Sequence, residues 1–137
     1  MREAGPLVHC ITNYVAMNIS ANVLLAAGAS PAMIHTSEET PDFAKIVGSL
    51  TVNIGTLSPH WVEGMKGAIK AAIAAKVPWV FDPVAHFATP YRAGVAQEIL
   101  AMAPTILRGN ASEILALSGQ SSAAKGVDAT DSVAVAE

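Results

Sequence analysis

Cysteine occurs once in this chain, at Cys10, so no internal disulfide and no cysteine-built zinc site is available. Charge is scarce as well: 14% of the 137 residues are Asp, Glu, Lys or Arg, and the formal net charge is only −3. With acids and bases interspersed and no basic stripe, nucleic acid is excluded as a partner. The four histidines, His9, His35, His60 and His86, show neither HxxxH nor HExxH spacing, which argues against a histidine-built metal site. Glycine-rich phosphate loops of the Walker or GxGxxG kind are missing, and Gly64 and Gly67 fall inside a helical pattern rather than opening one. Ala4 to Ser37 contains no charged residue, yet Asn13, Asn18, Ser20, Asn22 and Gly28 interrupt it. No stretch approaches the ~20 apolar residues of a spanning helix, and polar Thr12-Asn13 spoils a signal-peptide core. A soluble, reduced, cytoplasmic protein with a buried first helix is the expectation.

What is present is apolar residue, 52% of the chain, enough to bury a core in one domain-sized unit. Short β-branched runs alternate with longer Ala-rich segments. Leu7-Val8-His9, Ala32-Met33-Ile34, Leu50 to Ile54, Trp79-Val80-Phe81 and Thr105-Ile106-Leu107 read as strands. Helices are expected over 12–27, capped by Thr12 or Asn13 and stopped by Gly28, and over 37–47, opened by Ser37, Glu38 and Glu39. The clearest helix starts at Ser58-Pro59 and lines Val62, Met65, Ile69, Ala72 and Ile73 on one face. Further helices are expected over 90–102 and over 110–117, the latter with Asn110 and Glu113 in a capping box, and Asp131 is placed to cap a last one. The rhythm predicts an α/β fold, a mostly parallel sheet with helices on both faces. The first helix carries apolar Val15, Ala16, Ile19, Val23 and Leu24 at helical spacing, and its other face is polar but uncharged. A buried helix and a subunit or ligand contact both account for that.

In such sheets ligands collect beyond the carboxyl ends of the strands. That edge collects Cys10 to Asn13, then Met33 and His35, then Asn53, Gly55 and Thr56, then Asp82-Pro83, and finally Arg108-Gly109-Asn110 with Glu113. Asp82 and Glu113 are two carboxylates able to hold Mg²⁺ near a polyphosphate, through water, and Arg108 offers a forked guanidinium for phosphate. Each also has a plain structural role open to it: a turn before Pro83 for Asp82, a capping box for Glu113, a surface charge for Arg108. Their convergence on one edge favours function. Cys10 is read as a packed thiol and His60 as a solvated side chain.

Five ordered blocks carry a resemblance: Pro6 to Val15 (PLVHCITNYV), Gly28 to Met33 (GASPAM), Asn53 to Leu57 (NIGTL), Pro78 to Val84 (PWVFDPV) and Arg108 to Ile114 (RGNASEI). They resemble the hydroxyethylthiazole kinase family in order and spacing across essentially the whole chain, which is similar to the amino-terminal half of these ribokinase-like enzymes. The resemblance implies ATP-dependent phosphorylation of the hydroxyl of 4-methyl-5-(2-hydroxyethyl)thiazole in thiamine salvage, with Mg²⁺, by a homotrimer whose pockets lie between subunits. It implies that Asn13 and Met33 bind the thiazole, that Arg108, Asp82 and Glu113 bind ATP, and that Asp82 and Glu113 lie near the metal. The family's catalytic Cys and glycine-rich anion hole are expected beyond Glu137, so that 1–137 is a partial kinase domain; Cys10 does not match that Cys. Three departures accompany the match. Lys76 stands where the family usually has Gly, at a helix end suited to positive φ. His86-Phe87 replaces small residues and is expected to narrow the cleft. An initial helix is expected ahead of the first block. The rival expectations are a ribokinase-like kinase for another small alcohol and a non-catalytic α/β domain holding a nucleotide or heterocycle.

Overall fold

The computed structural model describes residues 3–119, and the expected Asp131 cap lies outside them. Five strands form one sheet in the order β2-β1-β3-β4-β5, every adjacent pair parallel. They are β1 (Leu7–Ile11), β2 (Ser30–Ala32), β3 (Ser49–Asn53), β4 (Trp79–Asp82) and β5 (Ile106–Leu107). Five α-helices intervene or follow: α1 (Met17–Ala27), α2 (Thr40–Phe43), α3 (Pro59–Ala74), α4 (Pro90–Leu100) and α5 (Ala111–Leu117). The expected α/β alternation is therefore present, and all its pairing is parallel.

Period-two alternation divides the strand side chains between two unequal faces. On one, Ile11, Leu50, Val52, Ile54, Trp79 and Phe81 pack with Trp61, Met65 and Ile69 of α3 and with Val95 and Ile99 of α4. These side chains are almost wholly buried, and a full burial of this kind contributes roughly 1.5–3 kcal/mol per large residue. On the other, Val8 and Cys10 meet Ala29, Leu24 and Met33 beneath α1 in a much smaller apolar patch. Registers pairing Cys10 with Thr51, Thr51 with Val80 and Val80 with Ile106 run a row across this thinner face. Ile106 in that row is 57% exposed.

Local chemistry accounts for the element boundaries, including those that differ from expectation. Gly28 closes α1 in the left-handed region at φ 88°, as its residue type suits. The helix begins at Met17 rather than at Thr12, however: the Asn13 carbonyl and side chain close a turn on the Ala16 amide, while its Nδ2 reaches Asn53, forty positions away. Nor is α1 buried. None of its residues is: Ile19 and Val23 are 60% and 58% exposed, and Val15 just ahead of it is 92% exposed. Helix α2 spans four residues instead of the eleven expected, with Pro41 at its start and irregular turns after Ala44. β2 lies two residues earlier than Ala32-Met33-Ile34, which leaves Met33 on the loop beyond the strand. In α3 the predicted face is buried except Ile73, which is 47% exposed.

Two glycines inside α3 have a packing reason. A Cβ on Gly64 would stand 2.3 Å from the carbonyl oxygen of His35, and one on Gly67 would stand 3.1 Å from Pro41. Thr40 Oγ1 donates to the Gly64 carbonyl at 2.9 Å in the same buried contact. Each glycine costs a helix interior about 1 kcal/mol relative to alanine. Here the cost is offset by the close approach of the segment that follows β2.

Candidate active site

Chain direction reverses between β1 and β3: β1 leads outward to β2, whereas β3 leads the other way to β4 and β5. A crevice opens beyond the carboxyl ends at such a switch point. Asn13, just past β1, donates from Nδ2 to Oδ1 of Asn53, the last residue of β3, at 2.9 Å. The same Asn53 oxygen accepts from the Gly55 amide at 2.9 Å, and Asn13 Oδ1 accepts from the Ala16 amide at 2.9 Å. A side chain at Gly55 would place its Cβ 2.6 Å from Asn13 Nδ2, so this close approach requires glycine.

At the neighbouring tips, Arg108 after β5 forms an ion pair with Asp82 at the end of β4. Two cavities share this pair. One, of ≈ 440 Å³, is lined by Thr12, Ser20, Thr51, Asn53, Asp82 and Arg108 among others. The second, of ≈ 390 Å³, is lined by Asp82, Val84, Arg108, Gly109, Asn110 and Glu113. Asp82, Arg108 and Glu113 are thus brought together, whereas Asn13, held against Asn53 on the same edge, lines neither cavity. Met33 is not part of either cavity; it sits partly buried on the β2 side of β1, against Val8, Cys10 and Ala29.

Glu113 is fixed by two backbone donors. Its Oε2 accepts from the Asn110 amide at 2.9 Å, and Asn110 Oδ1 accepts from the Glu113 amide at 2.9 Å, completing the expected capping box. Its Oε1 accepts from the Ala85 amide at 3.0 Å, a contact the sequence did not signal. Ala85 itself adopts φ 48°, uncommon for a residue with a side chain. His86-Phe87 does not narrow the cleft: His86 is 3% exposed, folded inward with its amide on the Pro83 carbonyl, and it lines neither cavity.

Sequence reasoning also missed Arg92, in the first turn of α4. Its guanidinium folds back to donate to the carbonyls of Ile54 (2.8 Å), Gly55 (3.3 Å) and Ala85 (3.2 Å), and to that of Val84. Burial lowers its pKa from the ordinary arginine value. Partners that are all backbone carbonyls leave no side-chain pattern in a sequence, so no motif could have revealed it.

Two histidines and the cysteine are packed rather than reactive. His9 is fully buried, bonded through Nε2 to the Ile34 carbonyl at 2.7 Å and set edge-on against Phe43. Desolvation lowers the pKa of both His9 and His86. Burial raises that of the Cys10 thiol, as expected of a packed side chain. His60 is exposed, also as expected. Among the described residues no group of three or more metal-ligating side chains converges, and no helix is long and apolar enough to cross a membrane.

A doubly wound parallel sheet with acid and guanidinium at its switch-point edge defines an α/β protein with a polar crevice beyond the carboxyl ends of its strands. Comparison with known proteins narrows the class. The family model described as the hydroxyethylthiazole kinase family matches residues 1–136, and the chain belongs to that family. Hydroxyethylthiazole kinase of Rhizobium johnstonii is 63% identical over 137 residues, all of this chain and 51% of that protein. The enzyme of that name from Gemmatimonas aurantiaca is 62% identical over 136 residues, 99% of this chain and 49% of its own length. The structure of the hydroxyethylthiazole kinase protein from Pyrococcus horikoshii OT3 superposes with a TM-score of 0.83 at 46% identity, covering 86% of this chain and 46% of that one. The chain therefore spans about half the length of the relatives it matches. The ribokinase-like α/β expectation stands in the all-parallel sheet shared with that structure. A receiver domain of a Pseudomonas aeruginosa sensor histidine kinase, at TM-score 0.53 and 12% identity, shares the fold alone.

Proposed function

We propose that this chain forms the amino-terminal half of a kinase domain that transfers a phosphoryl group from ATP to the hydroxyl of 4-methyl-5-(2-hydroxyethyl)thiazole, a step of thiamine salvage. The observation carrying this reading is the pair of adjoining cavities that share Asp82 and Arg108, in a chain 63% identical to a hydroxyethylthiazole kinase. Phosphoryl transfer asks a protein chiefly to align acceptor and donor and to offset negative charge. In this reading Asn13, locked to Asn53, and Met33 on the β2 loop contribute to the thiazole side. Arg108 pairs with phosphate oxygens of ATP, and the nucleotide occupies the cavity walled by Asp82 and Glu113.

Mg²⁺ fits this donor set through its own water shell, which it gives up reluctantly. Both Glu113 oxygens already accept amides and Asp82 is paired with Arg108, which suits contact through water rather than direct coordination. When bound, the ion would offset charge on the polyphosphate. The catalytic Cys and the anion hole belong, in this reading, to sequence beyond Glu137. The exposed apolar stripe of α1 supports assembly into a homotrimer, and a cytoplasmic setting accords with the single, buried cysteine.

The test is a coupled ADP-release assay on the intact protein that carries this chain. Turnover with the thiazole alcohol, and none with a hydroxymethylpyrimidine or a sugar, is the expected result. Calorimetric binding of Mg-ATP and the thiazole without turnover of either would assign a binding role instead.

A further inference from the structure

The loops after β3 and β4 leave carbonyl groups outside the sheet ladder, and buried carbonyls require partners. Ile54, Gly55, Val84 and Ala85 all find the same one. Four carbonyls from two loops converge on the single guanidinium of Arg92. Among the described residues the ion pairs join other side chains, so on its buried side carbonyl dipoles solvate this partly buried cation. Only a planar fork with five N–H donors can serve two loops at once; an ammonium offers three donors from one point. Placing a cation in the first turn of α4 opposes the helix dipole, a cost offset here by the four carbonyls it satisfies.

The two loops it joins belong to different parts of the site. Residues 54 and 55 follow Asn53, which holds Asn13, whereas 84 and 85 follow Asp82, and Val84 lines the smaller cavity. The Ala85 residue is gripped at both ends, its amide by Glu113 and its carbonyl by Arg92. Its left-handed φ of 48° is the kind of conformation that persists only where surrounding contacts over-determine it. We propose that Arg92 is a positioning residue that fixes the acceptor-side loop against the phosphate-side loop, so that hydroxyl and γ-phosphate meet in line. This rests on the kinase reading above, but the clamp itself is a property of the fold.

The experiment compares wild type, Arg92→Lys and Arg92→Met in the intact protein, by steady-state kinetics and by amide hydrogen exchange. Misplacement of about 1 Å costs about 100-fold, so Arg92→Met is expected to lose about that factor in kcat with KM for both substrates changed less than about threefold. Amides in 55–57 and 84–88 should exchange faster together, while those of β1 and α3 stay protected. Arg92→Lys is expected to lose about tenfold in kcat, and supplies the same comparison where the methionine variant does not fold. An unchanged kcat, a rise in KM alone, or faster exchange in only one loop would overturn the proposal. Wild type inactive toward the thiazole alcohol would sink the kinase assignment, and paired loop exchange would then decide the clamp independently.

Discussion

Asp82 and Arg108 face each other across the tips of β4 and β5, and their surroundings are unequal: the carboxylate side chain is 11% exposed and the guanidinium 75%. A shielded acid thus tethers a cation that is otherwise free to swing into solvent. Within the proposed chemistry, Asp82 both aims Arg108 and supplies negative charge beside the polyphosphate.

Those two roles separate experimentally. Arg108→Ala is expected to weaken ATP binding about tenfold with or without Mg²⁺, because a charge-assisted phosphate contact is lost. Asp82→Asn removes a repulsive charge, so it should leave Mg²⁺-free ATP binding unchanged or tighter while weakening Mg-ATP. Titration calorimetry in both conditions reads the difference; parallel losses for Asp82→Asn would reduce Asp82 to a tether.

Lys76 follows α3 with φ 58°, the left-handed conformation that glycine adopts without penalty. Lys76→Gly is therefore expected to stabilise the fold by about 1 kcal/mol, less the greater entropy that glycine loses on folding. The thermal midpoint should rise by a few degrees without a change in KM. A fall in the midpoint would mean that the side chain contributes more than its backbone costs.

His9 gives stability a pH dependence. Desolvation holds its folded pKa below the ordinary value of 6.5, and His86 is shifted the same way. The unfolded chain therefore binds more protons as pH falls through about 6.5. Stability contributed by the neutral rings is fully present above that pH and is lost progressively below it, down to the folded pKa. His9→Gln keeps a donor for the Ile34 carbonyl and cannot titrate. Denaturant midpoints between neutral and mildly acidic pH should fall less steeply for this variant; an identical slope would exclude His9 as a contributor.

Val15, Ile19 and Val23 lie at four-residue intervals on the outer side of α1 and its approach. Exposed apolar stripes of this kind mark association surfaces. Ile19→Asp with Val23→Asp is expected to shift the intact protein from the proposed trimer to a smaller species by light scattering. A wild type already monomeric at micromolar concentration would remove the assembly proposal.

The strands were legible because β-branched runs between Gly, Pro and Asn signals have few alternative readings, and of the five residues named from strand tips Asp82, Arg108 and Glu113 line one cavity. The start of α1 was not legible: Asn13 closes a turn on Ala16 while its Nδ2 reaches a residue distant in sequence, and short-range patterns carry no information about that second contact. The exposure of α1 is one of the two outcomes its sequence left open. An uncharged face reads as burial within the chain, but it suits burial against a second body equally well. Glu113 was half legible: its capping box is local, whereas its bond to Ala85 is tertiary. Met33 lies off the two cavities because β2 is the edge strand beyond β1, on the opposite side of the sheet from β4 and β5, and a strand order of that kind is not written in local patterns.

Position 64 admits a hydrogen atom and nothing larger, with the His35 carbonyl in the space a methyl would need. A substitution there would press through the backbone toward Met33, two residues before His35, although position 64 itself touches no ligand cavity described above. If Met33 serves the thiazole as proposed, variants at this buried helical site would read in an assay like lesions of the Met33 loop, and a screen for ligand-contacting residues would recover a glycine that lines neither cavity.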